Sequence, residues 1–227
     1  MTVDLIIFAI IAAVVAYRMY QTLGVLDEGE KEKQQEKAQT IIKVKSAKKV
    51  EEKPAEELQE DNSELLELDK KYLNLLSASQ AGNYHKIREK SSDFYLHKFI
   101  KNAEKAFELI ITAFVNNDKQ SLKKLTSAAI SEKFSQEAEQ IKSNKQKLDI
   151  NLISVETQKI KDIKITADQA ELTLVFLSEQ ISQVTDSSGQ LVSGDAKKIQ
   201  EISDIWTFSK DLSKKDPIWL LTKISNE

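Results

Sequence analysis

The sequence contains few side chains that could perform catalysis or bind a metal ion. Cysteine is absent, and the two histidines are His85 and His97. Without cysteine there is no disulfide, no cysteine-ligated zinc or iron–sulfur cluster, and no thiol nucleophile. Two histidines do not make a histidine-rich metal site, and we expect both to be surface groups. The composition therefore predicts no metal, no cofactor and no catalytic residue.

One carboxylate is nevertheless a candidate for acid–base chemistry. Asp204 alternates with Ile202, Trp206 and Phe208, which places all four side chains on one face of a predicted strand. A carboxylate among apolar side chains has a raised pKa and can act as a general base. No histidine is placed to pair with it, so we favour a structural carboxylate that is satisfied by a donor at a strand or helix end. The prediction is that the protein is not an enzyme.

The overall composition allows one folded domain with additional segments. Of the 227 residues, 41% are hydrophobic and 30% are charged. The formal net charge of −3 argues against an electrostatic nucleic-acid binder. Five glycines argue against a glycine-rich loop that holds nucleotide phosphates. The apolar and charged residues are distributed unevenly, and this distribution divides the chain into three segments.

The first segment, residues 1–23, is predicted to be a transmembrane anchor. Its apolar run extends from Leu5 to Leu23 with Arg18 as the single charge. This length matches a hydrocarbon core of roughly 30 Å, and the long arginine side chain can reach the headgroups. A cleaved signal peptide is the alternative, but its basic leading region is missing. Lysines follow the run and Asp4 precedes it, so the positive-inside rule predicts an outside N-terminus and a cytoplasmic body.

The second segment, residues 24–61, is predicted to be a charged linker. Residues 27–60 include ten acidic and eight basic side chains and no aromatic one. Such mixed charge cannot bury a core. A lysine cluster within it could contact anionic lipid, although a solvated linker is the interpretation we favour. The cluster consists of Lys43, Lys45, Lys48 and Lys49.

The third segment, residues 62–227, begins with helical patterns. The apolar stripe of a first helix is formed by Leu65, Leu68, Tyr72 and Leu75. Gly82 and Asn83 are its predicted stop. A long second helix is predicted to be capped by Asp93 and to end at residues 116–118, and a third helical stretch covers residues 121–140.

Strand patterns follow residue 147. Apolar and polar side chains alternate, and turn residues separate the runs at 166–169, 186–189 and 194–195. The predicted fold class is α+β, with helices packed on a curved antiparallel sheet of about four strands. A curved sheet that faces a long helix often leaves an apolar pocket. The candidates to line this pocket are Phe107, Phe176, Trp206, Phe208 and Trp219.

The long second helix also has a basic face. Lys98, Lys101 and Lys105 share this face, and Arg88 comes shortly before the helix. A basic face beside an apolar one is typical of a helix on an anionic membrane surface. A core helix with a solvated lysine face is the commoner arrangement. We take these four residues as candidates for lipid binding.

The C-terminal strands resemble a known family. Residues 201–211, EISDIWTFSKD, followed by DPIWLL at 216–221, are similar to the C-terminal signature of the Tim44-like domain family. Residues 94–110, 122–134 and 176–195 agree with further parts of its pattern, so that the resemblance covers about residues 94–223. Lys210 stands where an arginine is common, and Ile218 stands where a small polar residue is common.

The resemblance implies a fold and a class of function. The family is named for a peripheral subunit of the mitochondrial inner-membrane presequence translocase, and it includes membrane-anchored alphaproteobacterial relatives. Its domain has a nuclear-transport-factor/cystatin-like α+β fold with an apolar pocket, and it binds cardiolipin-rich membranes. The mitochondrial member is a non-enzymatic scaffold that recruits the chaperone motor. The parts that recruit the motor lie mainly N-terminal to this domain, where the present chain has its charged linker.

We therefore expect a membrane-anchored adaptor that assists protein translocation or membrane-protein assembly. Its expected location is a bacterial inner membrane, with a single anchor and a cytoplasmic domain. The expected partners are anionic phospholipid, translocase subunits, an Hsp70-type chaperone or client polypeptides, and not nucleic acid. The alternative is a sensory domain that binds a lipid or small ligand in the apolar pocket.

Overall fold

A computed structural model describes residues 62–216 and 218–226. The predicted anchor at residues 1–23 and the predicted linker at residues 24–61 lie outside the described residues. Within the described ranges, no helix combines the length and the apolar character that crossing a membrane requires.

Helices precede strands in the described part of the chain, as the pattern predicted. The helices are α1 (Asn62–Leu73), α2 (Ala78–Lys90), α3 (Leu96–Val115), α4 (Lys119–Leu125) and α5 (Ala128–Ser143). The strands are β1 (Lys147–Thr166), β2 (Gln169–Thr185), β3 (Leu191–Gly194), β4 (Gln200–Asp211) and β5 (Leu220–Asn226). The α+β fold class is confirmed.

Helix α2 corrects the prediction of a stop at Gly82 and Asn83, because both residues lie inside this helix. Ser77 accepts a hydrogen bond from the backbone N–H of Gln80, and the Gln80 side chain accepts one from the backbone N–H of Ser77. This reciprocal capping box starts a new helix. It outweighs the single glycine, which costs about 1 kcal/mol inside a helix.

Helix α3 is the central helix of the domain, and its start corrects another prediction. It begins at Leu96, and the carboxylate of Asp93 accepts a hydrogen bond from the Ser91 hydroxyl instead of capping the helix. The predicted end is confirmed, because Asn116 is the C-cap and Asn117 has a positive φ of 52°.

The predicted helical stretch at residues 121–140 consists of two helices, α4 and α5. They separate at Thr126 and Ser127, since Thr126 forms a parallel bridge with Leu221 of β5. The backbone N–H of Ser127 donates to the Leu221 carbonyl at 2.8 Å. Ser127 then caps α5 by accepting a hydrogen bond from the Ile130 N–H. A contact with the distant edge strand therefore breaks the helix.

Within the described residues the sheet has five strands, where about four were predicted. Its order is β1-β2-β4-β5 with antiparallel pairing, and the short strand β3 pairs with the end of β2. Strand β1 contains three irregularities, which bend a strand and increase its twist. Gly194 ends β3 with a φ of +86°, a conformation that glycine adopts readily.

Polar side chains of the helices cover part of the β1 edge. Gln80 and Asn83 of α2 donate to the carbonyls of Lys161 and Ile163, at 3.1 and 2.8 Å. From α3, Glu104 accepts a hydrogen bond from the backbone N–H of Thr157 at 2.9 Å. These bonds satisfy edge groups that would otherwise be free to pair with another strand. They also fix α2 and α3 against the sheet.

Candidate functional site

A groove lies between the first half of α3 and the end of the sheet formed by β4 and β5. Its volume is about 370 Å³. Five aromatic side chains line it, and we call it the aromatic groove: Phe94, Tyr95, Phe99, Phe208 and Trp219. The ring centroid of Trp219 lies 5.0 Å from that of Phe99 and 5.5 Å from that of Phe94. Phe99 in turn contacts Phe208 edge-on at 5.9 Å.

Charged and polar side chains surround these aromatic residues. Lys98, Lys210 and Asp93 also line the groove, and the Lys98 ammonium lies 5.6 Å from the centroid of the Tyr95 ring. The hydrogen bond from the Ser91 hydroxyl lowers the pKa of Asp93, and the charge of Lys210 adds to this effect. An apolar floor with a charged border suits an amphipathic molecule or peptide segment.

The structure separates the five predicted pocket residues into two groups. Phe208 and Trp219 line the aromatic groove. Phe107, Phe176 and Trp206 lie in the hydrophobic core and are at most 1% exposed. The Phe107 ring stacks on Trp206 at 4.3 Å and lies 5.3 Å from Phe176. Rings packed this closely leave no space for a ligand between them.

The four lipid-binding candidates also differ in their surroundings. Lys101 and Lys105 are exposed on α3, and Lys98 lies at the aromatic groove. Arg88 is half-buried, and its Nη1 donates to the Phe94 carbonyl at 2.8 Å. Its guanidinium also stacks 4.4 Å from the centroid of the Tyr95 ring. Arg88 therefore holds the connection between α2 and α3, and lipid contact by all four residues stays a prediction.

Asp204 faces the core, as its position in the strand predicted. It is 4% exposed and lies opposite Phe176 of β2. Burial raises the pKa of this carboxyl to about 6. Asp204 is absent from the lining of the aromatic groove, so it does not face the described site.

A buried polar cluster of Asp69, Tyr84 and His97 was missed by the sequence reasoning. Oδ2 of Asp69 accepts hydrogen bonds from the Tyr84 hydroxyl at 2.6 Å and from the Leu96 N–H at 2.9 Å. Oδ1 accepts one from the His97 N–H at 2.8 Å and lies 2.6 Å from His97 Nδ1. His97 is 5% exposed, so the prediction that it is a surface group was wrong.

The electrostatics of this cluster favour an ionised Asp69. Burial by itself raises the pKa of Asp69, but hydrogen bonds from His97, Tyr84 and Leu96 outweigh burial and lower it. The charge lies at the N-terminus of α3, where the helix dipole is positive. Burial and the adjacent Asp69 raise the pKa of Tyr84, so that its hydroxyl keeps its proton and donates.

A signal for this cluster was present in α1. The buried stripe of this helix contains Leu65 and Asp69, whereas the predicted stripe contained Leu68 and Leu75. Those two leucines are 50% and 77% exposed. Asp69 comes four residues after Leu65 and therefore lies on the same buried face of α1. A charged side chain on a buried face requires hydrogen-bond donors, and these must come from another part of the fold.

Comparison with protein families gives a match over most of the described chain. The model of the Tim44-like domain matches residues 80–226. This region begins inside α2 and includes the aromatic groove.

Two curated proteins are also similar to the chain. Mitochondrial import inner membrane translocase subunit TIM44-1 of Arabidopsis thaliana is 22% identical over 156 residues, which cover 66% of this chain and 33% of that protein. The chain thus spans about one third of the length of that relative. Uncharacterized protein RP434 of Rickettsia prowazekii (strain Madrid E) is 26% identical over 232 aligned positions, which cover 98% of this chain and 96% of that protein.

A distant likeness exists to a solved structure, the intermembrane space region of the chloroplast protein ARC6. The TM-score is 0.42 at 12% identity, with 56% of this chain and 95% of that chain covered.

Proposed function

The chain belongs to the Tim44-like domain family, and we propose that it is a non-enzymatic adaptor that assists protein translocation or membrane-protein assembly. The family match over residues 80–226 is the observation that carries this proposal. Similarity to a mitochondrial import translocase subunit supports it. The proposed partners are translocase subunits, an Hsp70-type chaperone or client polypeptides.

The proposed location is a bacterial inner membrane. Residues 1–23 anchor the chain there, with the N-terminus outside and the domain in the cytoplasm. The apolar run of this segment and the lysines that follow it support this orientation.

The surroundings of the titratable groups favour binding over catalysis. His97 contacts Asp69 in the core, and Asp204 does not line the groove. Trp219 is half-buried at the groove, whereas Phe94, Phe99 and Phe208 are buried beneath it, and tryptophan often contributes strongly to protein interfaces. We propose that the aromatic groove contacts the partner.

Photo-crosslinking of the full-length chain in its native membrane tests the adaptor role. A photoreactive amino acid replaces Asn102, which lines the groove, and in a control chain it replaces Glu201, which is exposed on β4. The expected result is polypeptide adducts at position 102 that are absent at position 201, identified by mass spectrometry. Equal protein adducts at both positions, or none at either, would contradict the proposal.

Contact with anionic lipid is a further part of the proposal. Exposed Lys101 and Lys105, with Lys98, would hold α3 near the headgroups. Residues 62–227 should float with vesicles that contain cardiolipin and not with neutral vesicles. Charge reversal of these three lysines should abolish flotation. The matched control reverses Lys123, Lys142 and Lys145. Equal loss of flotation in both variants would show that only net charge matters.

A second candidate function is the binding of a lipid or small ligand in the aromatic groove. The groove volume of about 370 Å³ favours it. Brominated acyl chains quench tryptophan fluorescence on contact, so they should quench Trp219 and not the buried Trp206. The Trp219→Phe variant should therefore lose the quenching. Equal quenching with and without Trp219 would exclude acyl chains from the groove.

A further inference from the structure

Helix α1 is attached to the domain by few contacts. Among its described side chains, Leu65 and Asp69 are the fully buried ones, and Tyr72 and Leu73 pack partly against the core. A helix of 12 residues is not stable by itself in water. The position of α1 therefore depends on these few contacts, and Asp69 provides the polar ones.

Asp69 also provides the cap that α3 lacks within its own sequence. Tyr95 is the N-cap residue of α3, and its side chain accepts no hydrogen bond from the first turn. The N–H groups of Leu96 and His97 donate to Asp69 instead, which lies 27 and 28 residues earlier. Leu96 and His97 are both buried. Without the Asp69 carboxylate, their backbone N–H groups would therefore lack a hydrogen-bond acceptor, because water does not reach them.

The same end of α3 forms one wall of the aromatic groove. Phe94, Tyr95, Lys98 and Phe99 all line it. Phe94 and Phe99 both contact Trp219, which comes from the segment before β5. A change in the first turn of α3 therefore changes the contacts of Trp219.

We propose that Asp69 is a positioning residue of the aromatic groove, because it caps α3 from α1 and thereby holds Phe94 and Phe99 against Trp219. Helix α1 lies before residue 80, where the family match begins. The functional unit thus starts upstream of the matched region, and the N-terminal segment joins it through α1. The inference concerns the shape of the groove, and its consequence for a bound partner rests on the proposed function.

Fluorine NMR of the full-length chain tests this role without any ligand. The chain contains two tryptophans, so 5-fluorotryptophan labelling gives one signal for Trp206 and one for Trp219. The Trp219→Phe variant assigns them. Asp69→Asn keeps the shape of the side chain but removes its charge and one acceptor oxygen. The expected result is a shifted or broadened Trp219 signal and an unchanged Trp206 signal.

Amide hydrogen exchange measures the cap directly. In Asp69→Asn, the Leu96 and His97 amides should exchange about fivefold faster, since losing a helix cap typically costs about 1 kcal/mol. Glu67→Gln is the matched control, because Glu67 is exposed on the same helix and pairs with Lys70. This control should change neither tryptophan signal nor the two amides. An unchanged Trp219 signal in a folded Asp69→Asn variant would overturn the proposal.

A milder variant keeps the test decisive if Asp69→Asn does not fold. Tyr84→Phe removes the hydroxyl that donates to Asp69 but keeps the ring that packs on Phe94. It should shift or broaden the Trp219 signal and leave the Trp206 signal unchanged. An unchanged Trp219 signal in this variant would then refute the positioning role. No partner protein enters these measurements, so their failure is distinct from failure of the crosslinking experiment.

Discussion

The buried carboxyl of Asp204 makes the stability of the domain depend on pH. Burial raises its pKa from the ordinary value of 3.8 to about 6. The folded state therefore binds this proton more tightly than the unfolded state does. The resulting stabilisation is full below about pH 4 and is lost as the pH rises through about 6.

The size of the effect follows from the shift. The pKa changes by about two units, and each unit is worth about 1.4 kcal/mol, so the contribution lost by pH 7 is about 3 kcal/mol. Asp204→Asn removes the titration and keeps a side chain of nearly the same shape. Relative to the unchanged chain, this variant should gain about 2 kcal/mol of stability between pH 4 and pH 7, because part of the contribution is already lost at pH 4.

Urea unfolding of residues 62–227, followed by circular dichroism at several pH values, measures this difference. The informative quantity is the change of the unfolding free energy with pH. Burying the side-chain amide of the Asp204→Asn variant also costs free energy, but this cost is the same at every pH. Glu201→Gln is the control on the same strand, since this side chain is exposed. Its stability curve should run parallel to that of the unchanged chain. A parallel curve for Asp204→Asn as well would refute the reasoning about burial.

Three further predictions concern stability and can be checked by thermal unfolding. Gly194→Ala should cost well over 1 kcal/mol, because the new Cβ would lie 2.3 Å from the Ser182 carbonyl oxygen at a φ of +86°. Gly189→Ala has a similar φ but open space, so it should cost less, and equal losses would contradict the clash. Arg88→Lys should cost about 1 kcal/mol, since the Phe94 and Tyr95 contacts need a planar guanidinium, whereas exposed Lys101→Arg should be neutral. Phe134→Ala should cost about 3–5 kcal/mol, because Phe134 is fully buried against Phe114, and exposed Leu109→Ala should cost far less. A similar loss in Lys101→Arg or Leu109→Ala would undermine the assigned contacts.

Local patterns in the sequence were sufficient for the main elements. The periodic apolar residues of α3 and the alternation along β2 and β4 reflect burial on one face, which repeats every few residues along each element. The turn at residues 166–169 and the helix end at Asn116 also depend on neighbouring residues. These features were predicted correctly because their causes lie within a few positions in the chain.

The capping box at Ser77 was equally local, and it could have revealed α2 from the sequence. The glycine at position 82 is the competing local signal, but a single glycine does not end a helix that is well capped and packed. Both signals lie within a few residues of each other, so no tertiary contact is needed to place the start of α2.

Other features depend on contacts between residues far apart in the chain. The break between α4 and α5 depends on Leu221, about 95 residues later, which pairs with Thr126. The division between core and groove aromatics depends on how α3 crosses the sheet. No local pattern contains this geometry.

The sequence by itself determined the order of helices and strands, the α+β class and the family resemblance, because these follow from periodicity and short motifs. Only the tertiary structure decided that Asp69 and His97 are buried together at the start of α3. A charged residue is stable in a core when distant parts of the chain supply its donors. That condition is met by Tyr84, Leu96 and His97, and it becomes visible only after α1, α2 and α3 have been placed together.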